Sequence, residues 1–189
     1  MAEQGYKQLI SYKLANIAFI LGWEFVPTYY KKYEDSRQRD QIKQALRSHK
    51  QNIVEGSSER SLSTKLKLYD VAKSSGMEAL EDFEDILKLE KLSLWSKDDS
   101  RLEKLRQFFE GYPNPSKTPN PSPSLSLLEK ELGEREVLEG IVNYLIDLLV
   151  RSGYFLDKTI RAVEEKHEKE GGYSENLLKK RLEYRNKLK

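Results

Sequence analysis

Ser48-His49-Lys50-Gln51-Asn52-Ile53-Val54-Glu55-Gly56-Ser57-Ser58 reads as the last turns of one helix and the start of the turn to the next. Ile53 prolongs an apolar stripe made by Ile42, Ala45, Leu46 and His49, spaced three and four residues apart as on one face of a helix. Gly56 is predicted to stop that helix, because glycine adopts the left-handed conformation at little cost. The serines beyond it can cap the next helix, so the chain turns back here. The last turns are unusually polar, however, with Gln51, Asn52 and Glu55 where apolar residues would be expected. Two explanations stand open. Asn52 and Glu55 bond backbone groups at the helix end and the facing serines, fixing the turn, or they belong to a subunit or nucleic-acid contact.

Working outward, the same periodicity recurs almost everywhere. Ile10, Leu14, Ile17 and Leu21, with Tyr12, Phe19, Trp23 and Val26 widening the stripe, open a first helix from near Tyr6 to near Tyr33, in which Pro27 should introduce a kink. The second helix runs from about Ser36 to Val54. A third starts at Ser61 or Ser63 and reaches about Lys91; two adjacent apolar stripes, on Leu66–Leu87 and on Leu68–Ile86, predict more than one packing neighbour. A shorter helix covers Ser100 to Glu110. Residues 111–124, GYPNPSKTPNPSPS, hold five of the six prolines and read as a loop or linker. Beyond them come a short helix, Leu125 to Leu132, a long one from Glu134 to about Glu170, a break at EGGYSEN, and a basic helix at the end. No segment alternates with a period of two. The predicted fold is all-α: an antiparallel up-and-down four-helix bundle with a C-terminal helical extension. Its parts are residues 1–110 (helices one to three and the short helix), the loop 111–124, the fourth long helix within 125–170, and the suffix helix 171–189.

Composition narrows the function. A chain of 189 residues can bury a substantial core. Charged residues make up 34 %, yet the formal net charge is only +2, so any basic site must come from local clustering. The absence of cysteine excludes disulfides, thiol catalysis and cysteine-ligated zinc. The most apolar segment, Leu14 to Val26, is about 13 residues against the roughly 20 that span a bilayer, and the N-terminus lacks the layout of a signal peptide. A soluble, cytoplasmic protein without membrane contact is expected.

Arg47, Ser48, Asn52, Ile53, Glu55 and Gly56, followed by a turn with Ser57, Ser61 and Ser63 and by VAKSSGMEALEDFEDIL, resemble the four-helix-bundle family first named for proteins encoded in intervening sequences of bacterial 23S rRNA genes. The tail is similar to a C-terminal suffix carried by one branch of that family, with Asn143, Leu156, Asp157, Gly171, Gly172, Glu175, Arg181 and Arg185 on its pattern. Together the two regions cover most of residues 5–189; the Pro/Ser loop matches nothing in it. The resemblance implies an antiparallel bundle assembled as a ring-like homopentamer. A related branch, the accessory variability determinant of diversity-generating retroelements, binds a reverse transcriptase and nucleic acid. Fold carries over from such a likeness more readily than activity.

Two basic clusters are the candidate nucleic-acid-binding sites. Lys31, Lys32, Arg37, Arg39, Lys43, Arg47 and Lys50 outnumber the three acids among them by four, with Tyr29, Tyr30 and Tyr33 alongside. Lys179, Lys180, Arg181, Arg185, Lys187 and Lys189 face one glutamate, with Tyr184 among them. Cations neutralise phosphates and aromatic rings stack on unpaired bases; a solvated helix face or an acidic protein partner accounts for the same residues. Asn52, Glu55 and Gly56 are the candidate turn or interface positions.

Enzymatic chemistry finds little support. The acidic run Glu78, Glu81, Asp82, Glu84 and Asp85 could bind a divalent ion or act as acid and base, but such runs are more often solvated. Glu164 and His167 have the spacing used in di-iron bundles, which need a second such motif; His49, the other histidine, has Leu46 where its glutamate should be. Metal chemistry would require Glu78, Asp82 and Glu164 to converge. The reading is a non-catalytic homo-oligomer, without metal or cofactor, that binds RNA, DNA or a nucleoprotein enzyme such as a reverse transcriptase. The alternative is a protein-only scaffold that recruits a partner protein.

Overall fold

The computed structural model describes residues 5–32, 35–111, 122–133 and 136–187. Among them every regular element is helical. A short 3-10 turn, Gly5–Gln8, leads into α1 (Ile10–Tyr29), α2 (Ser36–Ser58), α3 (Leu62–Glu90), α4 (Ser100–Glu110), α5 (Leu125–Leu132), α6 (Val137–Glu170) and α7 (Tyr173–Lys187). Most of the loop at 111–124, together with Tyr33 and the predicted start of the long helix at Glu134, lies outside the described residues.

The four longest helices pack in a closed cycle: α1 on α2, α2 on α3, α3 on α6, and α6 back on α1. Their apolar stripes meet in two clusters. The larger gathers Leu21, Phe25, Leu46, Phe83, Ile86, Leu145 and Leu148; the smaller gathers Ala15, Ile53, Tyr69, Ala72, Leu156 and Ile160. Going from N- to C-terminus, α2 passes from the larger cluster to the smaller, α3 returns, and α6 repeats the direction of α2. Fully burying one Leu, Ile or Phe contributes about 1.5–3 kcal/mol, so these residues, far more than surface pairs, hold the helices together. The α2 face predicted from Ile42, Ala45, Leu46, His49 and Ile53 is buried throughout.

The bounds of α1 and α2 depart from expectation. α1 begins at Ile10 and continues through Pro27 only to Tyr29, where the Tyr30 amide closes the last turn on the Val26 carbonyl at 2.9 Å. More instructive is Gly56, which does not stop α2: the helix runs on to Ser58. A Cβ at Gly56 would lie 2.6 Å from the Tyr69 ring, so glycine is needed here for close approach of α3 rather than for a left-handed turn. The turn itself is made by Glu59, whose carboxylate accepts from the amides of Arg60 (2.7 Å) and Ser61 (2.9 Å). Ser61 then caps α3 by accepting from the Thr64 amide.

α4 and the turn before it are fastened to α6 by polar groups. The Asn143 amide accepts from the Trp95 backbone (2.7 Å) and donates to the Ser93 carbonyl (2.9 Å), while the Trp95 indole donates to Glu139 (2.6 Å). Arg106 donates to Asp147 (Nε to Oδ2, 3.0 Å), and Arg151 makes a two-pronged contact with Glu110 at 2.7 and 2.8 Å. Burial pushes the Glu110 carboxyl upward, against the opposing pull of Arg151. Paired and bonded in this way, the charges position α4 without leaving a buried ion uncompensated.

Candidate nucleic-acid interface

The first basic cluster divides along α2. Arg39, Lys43, Arg47 and Lys50, spaced four, four and three residues apart, form one stripe; α1 brings Phe19 and Trp23, one turn apart, against it. The Lys43 ammonium sits 3.8 Å from the centroid of the Trp23 ring, and that of Lys50 3.5 Å from the centroid of Phe19. The two rings are 5.2 Å apart and tilted by 41°. This arrangement follows from the ring quadrupole, which attracts a cation to its face. Trp23 nonetheless remains 42 % exposed, and Arg47 is exposed between the two lysines.

Three of the four cations on this strip, Lys43, Arg47 and Lys50, are without an ion pair among the described residues. Arg39 is 3.9 Å from Asp40 and donates to the Tyr30 carbonyl at 3.4 Å. Glu24, the acid nearest in sequence to Trp23, accepts instead from the Leu125 amide at 2.6 Å. Partial burial and then the neighbouring guanidinium of Arg47 pull the Lys50 amine below its usual value. Such a row of cations, held by a rigid helix pair, suits a polyanion.

The other residues of this cluster lie elsewhere. Arg37 is on the opposite flank of α2, lining a shallow groove of about 460 Å³ with Asp40, Gln44, Ser48, Ser75 and Glu78. Lys31 and Lys32 are exposed in the connection before α2. Tyr30 adjoins the strip only through its carbonyl, and the two tyrosine rings are engaged elsewhere. Tyr29 donates to Glu90 at 2.6 Å and stacks on Phe25, while Tyr30 meets it edge-on. Burial, and secondly Glu90, raises the Tyr29 hydroxyl well above its ordinary value.

The polar end of α2 resolves as a relay across the core. His49 is almost wholly buried. Its Nδ1 lies 2.7 Å from the Ala72 carbonyl on α3, which can only accept, so Nδ1 carries hydrogen. Nε2 lies 2.8 Å from the Ser152 hydroxyl on α6, and that hydroxyl is also 2.8 Å from the Ser11 carbonyl on α1. His49 contacts α3 and α6 directly and reaches α1 through the Ser152 hydroxyl, whose one hydrogen either Nε2 or the Ser11 carbonyl accepts. Gly76 makes room for it, since a Cβ there would come 2.7 Å from Nδ1. Burial holds the His49 ring below its usual value, opposed by the bond to Ala72. Asn52 does not reach the turn. It donates to the Ser48 carbonyl (2.9 Å) and hydroxyl (3.0 Å), and Ser48 in turn accepts from Ser75 on α3 at 2.9 Å. Glu55, exposed, accepts from Gln51 one turn back.

The second basic cluster stands apart. α7 has no buried residue, and Lys179, Lys180, Arg181 and Arg185 are exposed along with Leu177, Leu178, Leu182 and Tyr184. Gly171, at φ 74°, sets the break before it, and Glu175 accepts from the Gly172 amide at 3.0 Å. Asp157, matched in the same tail pattern, pairs with Lys73 of α3 at 2.7 Å.

Potential metal ligands are dispersed. No group of three or more acidic or histidine side chains able to hold a metal occurs among the described residues. Asp82 is held by Gln38 (2.7 Å) and Asp85 by Lys88 (2.9 Å). Glu164 lies one residue beyond Val163, which packs on the smaller cluster as does Leu66 near the start of α3, whereas Glu78 lies more than three turns further along that helix. No described helix is long and apolar enough to cross a membrane. Phe19 packs against the larger cluster as the apolar stripe of the first helix predicts, whereas Trp23, in the same stripe, is exposed, and only its placement opposite Lys43 could have signalled that. Compared with known proteins, the chain matches no protein-family model, no curated protein and no solved structure.

Proposed function

We propose that this chain is a non-catalytic, homo-oligomeric helical-bundle protein of the 23S rRNA intervening-sequence family, and that it binds nucleic acid or a nucleoprotein enzyme such as a reverse transcriptase. The bundle is the antiparallel up-and-down arrangement of α1, α2, α3 and α6; their closed cycle of contacts and the alternating direction in which α2, α3 and α6 traverse the two apolar clusters support it. The observation that carries the functional reading is the strip of Arg39, Lys43, Arg47 and Lys50, of which the last three meet no carboxylate among the described residues. Assembly into a ring, five copies as the resemblance implies, would multiply this strip and raise its avidity for a polyanion.

Native mass spectrometry on protein purified without nuclease tests this reading. A mass near five chains of 22.1 kDa each with bound nucleotide is expected. A monomer free of nucleotide, from a preparation never treated with nuclease, would overturn it. One feature favours the second reading, a protein-only scaffold: α7 exposes Leu177, Leu178 and Leu182, which phosphates do not recognise and an apolar groove on a partner protein would.

A further inference from the structure

We propose that Trp23 and Phe19 form a stacking platform for unpaired bases, which makes the ligand of the α1/α2 strip a single-stranded nucleic acid. The inference rests on the nucleic-acid reading above and adds to it the ligand's class and the two residues that select it.

Trp23 is 42 % exposed on a well-packed helix, so much of its ring stays open to solvent beside Phe19 and the Lys43 ammonium. Phe19 continues it by 5.2 Å along α1. Cations line the same surface: Lys43 and Lys50 cover the rings, Arg47 is exposed between them, and Arg39 extends the row. Arg39 to Lys50 spans 11 residues of helix, roughly 16 Å. Cations beside exposed aromatic faces are the two components of a single-strand groove, one taking phosphates and the other bases. A duplex offers its phosphates to such a strip but keeps its base faces inside the stack, leaving the rings nothing to bind.

Lys43 and Lys50 are the movable parts. Each ammonium ends a flexible four-carbon chain and can leave the ring for a phosphate, exposing the aromatic face as it goes. An ammonium holds an exposed ring less strongly than a stacked base does, so the exchange favours the nucleic acid.

The chain has two tryptophans. Trp95 is 7 % exposed with its indole bonded to Glu139, so it serves as an internal reference. The full-length protein would be titrated with fluorescently labelled oligothymidylate, alone and annealed to oligoadenylate, following anisotropy of the label and tryptophan emission. The expected result is preferential binding of the single strand with quenching that disappears in Trp23→Leu. That variant should bind the single strand about tenfold more weakly, with unchanged helical circular dichroism, and Trp23→Phe should retain most of the affinity. If the protein binds but takes duplex as tightly as single strand, or Trp23→Leu binds unaltered, the stacking platform is overturned while the nucleic-acid reading survives. Failure to bind either form overturns both.

Discussion

The two basic segments, α2 and α7, carry nearly the same side chains and are treated in opposite ways by the fold. α2 buries Ile42, Leu46, His49 and Ile53, so the positions of Arg39, Lys43, Arg47 and Lys50 on its outer flank are fixed by the core. α7 buries nothing and is joined to α6 through Gly171 and Gly172. A helix of its length is marginal in isolation, and its leucines find no partner among the described residues. The difference teaches that a count of basic residues does not make a site. One segment holds its charges in register on a scaffold; the other offers charge and apolar surface together without a fixed frame.

The largest effects are expected on the core side of α2. His49→Leu should destabilise the protein by about 3 kcal/mol, because Ser152 and the Ala72 carbonyl each lose a buried partner; chemical denaturation measures it, and a change below about 0.5 kcal/mol would show that the relay does not anchor α2. Gly56→Leu should cost about 2 kcal/mol by forcing a side chain into the Tyr69 ring, and a thermal melt equal to the parent's would contradict the close approach. Acid should also act through α2. Burial keeps the folded-state value of His49 below its ordinary 6.5, so the unfolded chain takes up the proton first as pH falls. The stability His49 contributes is therefore present above about 6.5 and declines below it. The stability gap between the parent and His49→Leu should narrow from pH 8 to pH 5.5; a constant gap would remove the imidazole from the pH dependence.

Smaller effects are expected on the solvent side. Deleting the residues after Gly172 should change stability by no more than about 0.5 kcal/mol, as no α7 side chain is buried; a larger loss would mean that α7 docks in solution. Arg47→Ala and Arg181→Ala should both leave the melting temperature within a degree or two. Of the pair, Arg47→Ala should weaken nucleic-acid affinity more and flatten its dependence on salt by about one phosphate contact. Equal affinities for both variants and the parent would erase the distinction between scaffolded and free charge.

Much of this architecture was legible in the sequence because helical periodicity is a local property. Ile42, Ala45, Leu46 and Ile53 declare a buried face without knowledge of what covers it, and Ser100 to Glu110 and Leu125 to Leu132 carry their own boundaries. Gly56 was misread because a glycine needed for close approach and one needed for a left-handed turn look alike until the neighbour, here Tyr69, is known. The aromatic half of the strip escaped for a similar reason. Trp23 reads as core on α1 alone, and only α2 crossing beside it shows that Lys43 covers the ring from outside. Asp147 was a visible signal left unused: an acid inside the apolar run Ile141–Leu149 with Arg151 one turn on announces a buried charge network.

The imidazole of His49 also bears on how the chain assembles. Its partner on α3 lies 23 residues away, but the hydroxyl on α6 is 103 residues away, and that hydroxyl meets a carbonyl 141 residues before it. During synthesis the first three helices emerge long before Ser152 does, so until α6 is made the ring has only its bond to Ala72 and an open seam where α6 will lie. Docking of α6 closes contacts with α1 and α3 in one event. The last of the long helices to be translated is thus the one that completes the core, and a chain arrested before Val137 would display its unfinished state as an exposed apolar groove, the kind of surface chaperones retain.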